Sequence, residues 1–236
     1  MVKYRIFFFL FLCSMLNCTE YQILFGDRYE EAIHAYEEIK PIMRTRVAQL
    51  NGEFNTAASI VFPEMVRYSL IRDKIETAAL EVFYKKLGPD YANFSIGLFQ
   101  MKPSFIERLE RAVLRFDHLS EYQFISEFGE NLTAEQIREM RVGRLKDIRW
   151  QIDYLVCFMK MMDYFMNRVD PNLGMMDDES RIAIYATAFN SGIWENVGKI
   201  KRISKQKFFP YGPKSNENQC SYSDLSLYFY TSYIRN

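Results

Sequence analysis

The sequence predicts a mainly α fold, one domain of packed helices, and three observations predict it. Apolar residues recur at helical spacing through most of the chain. The stretches so patterned are bounded by residues that start and stop helices. No internal repeat and no run of alternating apolar and polar residues interrupts them.

Taken in order, residues 27–49 carry the helical pattern in Ala32, Ile33, Tyr36, Ile39, Ile42 and Met43, with Pro41 expected to kink or divide the helix. Asn51-Gly52 stops it. The next helix starts at about Thr56. Ala57, Ala58, Ile60, Val61, Phe62 and Met65 make it apolar nearly all round, which places it in the middle of a domain. A further helix is expected over 73–86, ended by Gly88-Pro89. Residues 90–102 are too mixed to assign, and Lys102-Pro103 opens a helix through Arg115.

Thr133-Ala134-Glu135-Gln136 matches a capping box, in which the threonine oxygen and the glutamine side chain satisfy backbone N–H groups reciprocally. The pattern then stays helical to Arg168, with Trp150, Tyr154, Leu155, Phe158, Met162 and Phe165 on the apolar side. Asp177-Asp178-Glu179 places negative charge where the next helix dipole favours it, and that helix ends at Asn190-Ser191-Gly192. The tail, 204–236, is rich in Tyr, Pro, Gly and Ser, with a short helix expected at 224–234.

Lys3 and Arg5 precede a run of about ten apolar residues, the layout of a secretory signal over 1–18 and too short for the roughly 20 residues of a spanning helix. The expectation is an exported protein, periplasmic or membrane-anchored facing the periplasm. Cys18 is either a lipid-bearing cysteine, although Asn17 is larger than the residue usual before one, or lies beside an ordinary cleavage site. Residues 19–236 then suit one domain, expected as a monomer. The 30 basic and 30 acidic side chains balance, which leaves no electrostatic footprint for nucleic acid. Cys157 and Cys220 could form one disulfide, but Cys157 sits in an apolar helical pattern that suits a small buried hydrophobe. His34 and His118 stand far apart without ligand spacing, so neither a metal site nor a Ser-His triad is expected, and no cofactor is implied. Chemistry has to come from carboxylates.

Three segments could supply it. Glu64 leaves an apolar helix, with Val61 and Phe62 before it and Met65 and Val66 after it. Burial in such a setting raises a carboxyl's pKa and suits it to general-acid work. Ser95, Gly97-Leu98-Phe99-Gln100 and Pro103 form a turn in which Gly97 allows close backbone approach to a ligand, and Ser95 and Gln100 can hydrogen-bond its polar groups. Ala188-Phe189-Asn190-Ser191-Gly192 closes a late helix.

In this order the segments resemble the lysozyme-like lytic transglycosylases of the soluble and goose-type-lysozyme kind, over about 51–198. The resemblance implies helices packed around a glycan cleft and an exported bacterial enzyme acting on peptidoglycan. There it would cut the β-1,4 bond between N-acetylmuramic acid and N-acetylglucosamine. A single glutamate would serve as acid and then as base, leaving 1,6-anhydro ends. Alternatives on the same frame are a hydrolysing muramidase, with Asp90 as the nearest second carboxylate, and a glycan-binding module with weak or no turnover. The family's Ala-Tyr-Asn-Ala-Gly has Phe189 for its tyrosine, and Tyr185, four residues earlier on the same helical face, is the expected substitute. The family glutamate lies about twenty residues before the turn's Gln. Glu64 precedes Gln100 by 36 and Glu81 by 19. Glu64 has the family's polar turn, buried helix and glutamate layout, Glu81 is the alternative and Glu76 a third candidate.

Overall fold

A computed structural model describes residues 20–70, 74–169, 176–215 and 219–235, with the backbone alone at 69–70 and 74–77. The expected leader, Cys18 and the side chain of Glu76 lie outside the described residues. The chain is mainly helical. Among the described residues there are no strands, only isolated antiparallel bridges pairing Ile96 with Met101 and Phe209 with Cys220.

The organising element is α3 (Phe54–Leu70). Its first free N–H groups, on Asn55 and Thr56, are taken up by the Glu53 carboxylate at 3.0 and 2.5 Å, which also favours the positive end of the helix dipole. Residues 56–66 are buried on every face, as a helix apolar all round requires. α3 packs against α2 (Asp27–Gln49), α7 (Ile148–Val169), α8 (Asp178–Ser191) and α10 (Tyr222–Phe229). A short α1 (Glu20–Phe25) precedes α2. Pro41 does not divide α2, which runs unbroken for 23 residues.

One difference from the sequence reading lies at Asp147. The helical stretch expected from the capping box to Arg168 is two helices, α6 (Ala134–Lys146) and α7. Asp147 takes extended dihedrals, and its carboxylate accepts the backbone N–H of Arg149 at 2.8 Å, so it opens α7 as an N-cap. The predicted box at Thr133 is present, with the Thr133 oxygen accepting from the Gln136 N–H at 3.2 Å and the Gln136 side chain accepting from the Thr133 N–H at 2.8 Å.

α4 (Lys74–Leu87) packs on α6, and α5 (Pro103–Arg115) leads into a 3-10 segment, Asp117–Ser126. After α8 come α9 (Val197–Ile203), a loop, α10 and a π-type turn, Tyr230–Ile234. The tail is built into the core. The Phe229 ring stacks on Phe62 of α3 at 3.8 Å and 4°, and the Tyr222 hydroxyl donates to the Ile60 carbonyl at 2.9 Å. Cys157 and Cys220 are both buried and free. No helix among the described residues is long and apolar enough to cross a membrane.

Candidate functional site

A cleft of about 640 Å³ opens where the second half of α3, the 93–105 segment, the end of α8 and the tail meet. Glu64, Ser95, Gln100, Phe189 and Asn190, from segments up to 126 residues apart in the chain, all line it. Glu64 is 2% exposed. Burial pushes its carboxyl above the ordinary 4.5, against the opposing pull of Arg67 and Lys102. Arg67, one turn later on α3, places Nη1 3.1 and 3.0 Å from the two carboxyl oxygens. Its Nη2 donates to Asn190 Oδ1 at 3.3 Å, and its guanidinium lies 4.8 Å from the Phe209 ring centroid. Arg67 Nε is buried without a hydrogen-bond partner among the described residues.

Gln100 holds a left-handed φ of 48°, and its side-chain Nε2 donates to the Gly97 carbonyl at 2.8 Å, which fixes the amide at the cleft wall. The turn is pinned from below by Gln151 of α7. Its Oε1 accepts from the Phe99 N–H at 2.7 Å and its Nε2 donates to the Leu145 carbonyl at 2.9 Å. That packing corrects the reading of Gly97. A Cβ there would lie 2.1 Å from Gln151 Nε2 and 2.5 Å from the Leu145 oxygen, and φ is 74°. The glycine is required by the protein's own interior, and Gly97 does not line the cleft.

The expectation that Tyr185 replaces the tyrosine of the resembled motif also needs correction. It is buried, and its hydroxyl donates to Asp163 at 2.6 Å, away from the cleft-lining set. The phenol beside the glutamate comes instead from Tyr222 in the tail, which lines the cleft within hydrogen-bonding reach of Glu64. Burial holds the Tyr222 hydroxyl well above its ordinary value, so it stays protonated. Glu81 is tied across α4 and α6 to Lys146, with Nζ 2.7 Å from its carboxylate, and does not line the cleft. Asp90 sits in an exposed turn outside it.

Sequence reasoning missed Arg67, Tyr222 and the 208–213 strap that forms the far wall. Arg67 had a signal, since a residue three positions after Glu64 lies on the same helical face. Tyr222 had none, because 158 positions separate it from Glu64 and only tertiary packing joins them. Phe208 and Tyr211 on the strap are 41% and 44% exposed and offer flat faces to a ring-shaped ligand. Among the described residues no cluster of His, Cys, Asp or Glu is arranged to hold a metal.

Fold and site together define a mainly α protein with a polar, aromatic-walled cleft around one buried carboxyl. Comparison of the chain with protein-family models, with curated proteins and with solved structures finds no match.

Proposed function

We propose that the cleft cuts the glycan backbone of peptidoglycan with Glu64 as its single acid and base, in the manner of the lytic transglycosylases that the three segments resemble. The observation that carries this reading is the position of Glu64. It is the only carboxylate among the described residues lining the cleft, and burial has raised its pKa. A hydrolase of the common two-carboxylate kind needs a second acidic group across the bond. Asp90, the expected candidate, lies elsewhere.

Protonated Glu64 would donate to the leaving glycosidic oxygen as the bond from C1 breaks. The resulting carboxylate would take the proton of the 6-hydroxyl as that oxygen bonds C1. The proton is returned, no water is consumed, and a 1,6-anhydro end remains. The Tyr222 hydroxyl, which donates to the Ile60 carbonyl and lies within hydrogen-bonding reach of Glu64, favours the carboxylate that forms once the proton has left. Ser95, Gln100 and Asn190 supply polar groups for sugar hydroxyls and acetamido groups, and the strap supplies stacking faces.

A second reading, a glycan-binding module without turnover, draws on Arg67. Its hold on both oxygens favours the ionised carboxylate, which cannot donate a proton. Digestion of purified peptidoglycan followed by weighing of the fragments tests the proposal. Ends lighter by one water than hydrolysed ends support it, hydrolysed ends indicate a muramidase, and binding without fragments supports the second reading.

A further inference from the structure

The charged residues lining the cleft are unequal in sign although the whole chain is balanced. Among the described residues, Arg67, Lys102 and Arg108 stand against Glu64 alone. Arg108 is partly committed: its Nη1 donates to the Gly192 carbonyl at 2.7 Å, its guanidinium lies 4.1 Å from the Trp194 ring centroid, and Nη2 reaches Glu195 at 3.4 Å. Lys102 is exposed at the mouth of the cleft and close enough to Glu64 to act on its charge. Arg67 is only partly satisfied, with Nε buried and unpartnered and Nη2 on a 3.3 Å bond to the exposed Asn190. A guanidinium with donors to spare, set between a buried carboxylate and an open cleft, can exchange one carboxylate for another without breaking the fold.

We propose that the cleft takes a glycan bearing a carboxylate beside the bond to be cut, and that Arg67, with Lys102, recognises that carboxylate and so releases Glu64. This deepens the function proposed above and rests on it. Relieved of Arg67, buried Glu64 holds a proton from solvent to higher pH and serves better as the acid the reaction needs; no other reactant is involved. The arrangement joins turnover to occupancy: without an anionic ligand Arg67 opposes the protonation that burial favours, and with one that opposition is removed. Arg67 is thus a positioning residue whose partner changes when the substrate arrives. The same carboxylate chemistry could sit on the sugar itself or on a peptide attached to it.

Equilibrium binding to a Glu64→Gln protein, which holds the glycan without cutting it, tests the inference with four probes. They are peptide-bearing glycan strands, strands stripped of peptide that keep the sugar carboxylates, the stripped strands with those carboxylates amidated, and a hexamer of N-acetylglucosamine. The expected result is binding of the stripped strands about tenfold or more tighter than of their amidated form or the hexamer, the scale of a charge-assisted hydrogen bond. The preference should shrink as salt rises. Preference only for peptide-bearing strands would place the recognised carboxylate on the peptide. Adding Arg67→Gln or the exposed Lys102→Gln should reduce the preference, while Arg67→Lys keeps part of it, which a merely structural arginine would not do. Equal affinity for charged and amidated strands, with no preference for peptide-bearing strands either, overturns the inference and leaves the proposed function standing. Failure of all four probes to bind overturns both.

Discussion

Two buried glutamates, each held by an arginine, make an instructive pair. Glu110 of α5 is 5% exposed and Glu64 of α3 is 2% exposed, and burial pushes both carboxyls upward. Their arginines differ. Every nitrogen of Arg141 is engaged: Nε and Nη2 go to Glu110 at 2.9 and 2.5 Å, and Nη1 goes to the Tyr84 hydroxyl at 2.8 Å and to Glu107 at 3.1 Å. Arg67 gives Nη1 to Glu64, reaches Asn190 weakly and leaves Nε without a partner. A hollow lies over each pair, about 200 Å³ at Glu110 and about 640 Å³ at Glu64. Burial of a carboxyl is therefore not what separates structure from candidate chemistry. The closed network around Glu110 fixes helices, whereas the open one around Glu64 leaves a carboxyl and a guanidinium free to find new partners.

The comparison would break first on turnover. Glu64→Gln is expected to lower cutting of peptidoglycan by about 10²–10⁴-fold, the usual range for loss of an acid–base group, with the fold intact. Glu110→Gln should leave turnover within about a few fold while lowering stability. Fragment release measured on both purified variants checks this, and the reverse pattern would exchange the roles assigned to the two glutamates.

On stability the order inverts. Arg141→Met strands a buried carboxylate and is expected to cost about 3–5 kcal/mol in denaturant unfolding. Arg67→Met should cost clearly less, because Arg67 holds its carboxyl through one nitrogen where Arg141 uses two and also binds Tyr84 and Glu107. Equal losses would mean that both pairs serve only the fold.

Stability against pH sharpens the point. The carboxyl of Glu64 is raised above its ordinary 4.5, so the folded protein keeps this proton to higher pH than the unfolded chain. The stability linked to that proton is full below about 4.5 and is lost as pH rises through the folded midpoint. Glu64→Gln cannot titrate, so its melting temperature should gain on wild type as pH rises from 4 toward neutral. A difference independent of pH would deny the raised pKa.

Smaller effects belong to the edges of the site. Tyr222→Phe removes the hydroxyl shared by the Ile60 carbonyl and Glu64, and Ser95→Ala removes one polar group from the wall. Each is expected to lower turnover by about tenfold or less, the range of one hydrogen bond to an uncharged group. Glu81→Gln breaks a partly exposed pair with Lys146 and should change stability by under about 1 kcal/mol and turnover hardly at all.

Much of the fold was legible because its helices announce themselves locally. The apolar run of α3, the box at Thr133 and the acidic start of α8 at Asp177-Asp178-Glu179 are all short-range patterns. The break at Asp147 was not, because apolar spacing continues across it and only the cap geometry shows the chain restarting. The site divides in the same way. Glu64, Ser95, Gln100, Phe189 and Asn190 lay in recognisable segments and share the cleft. Gly97 and Tyr185 were assigned from local chemistry, but their surroundings, Gln151 and Asp163, come from a distant helix, α7. Tyr222 and the strap reach the site from a tail with no motif, carried there by the packing of Phe229 on Phe62.

The central claim, that Glu64 is the proton donor of an open cleft while Glu110 belongs to a closed network, is tested most directly by following both carboxyls by carbon NMR across pH alongside kcat/KM for peptidoglycan. The expected result is a Glu64 midpoint above 4.5, with turnover falling as pH rises through that same midpoint and indifferent to the midpoint of Glu110. A Glu64 midpoint at or below 4.5, or a rate that ignores it, would remove Glu64 from the role of proton donor.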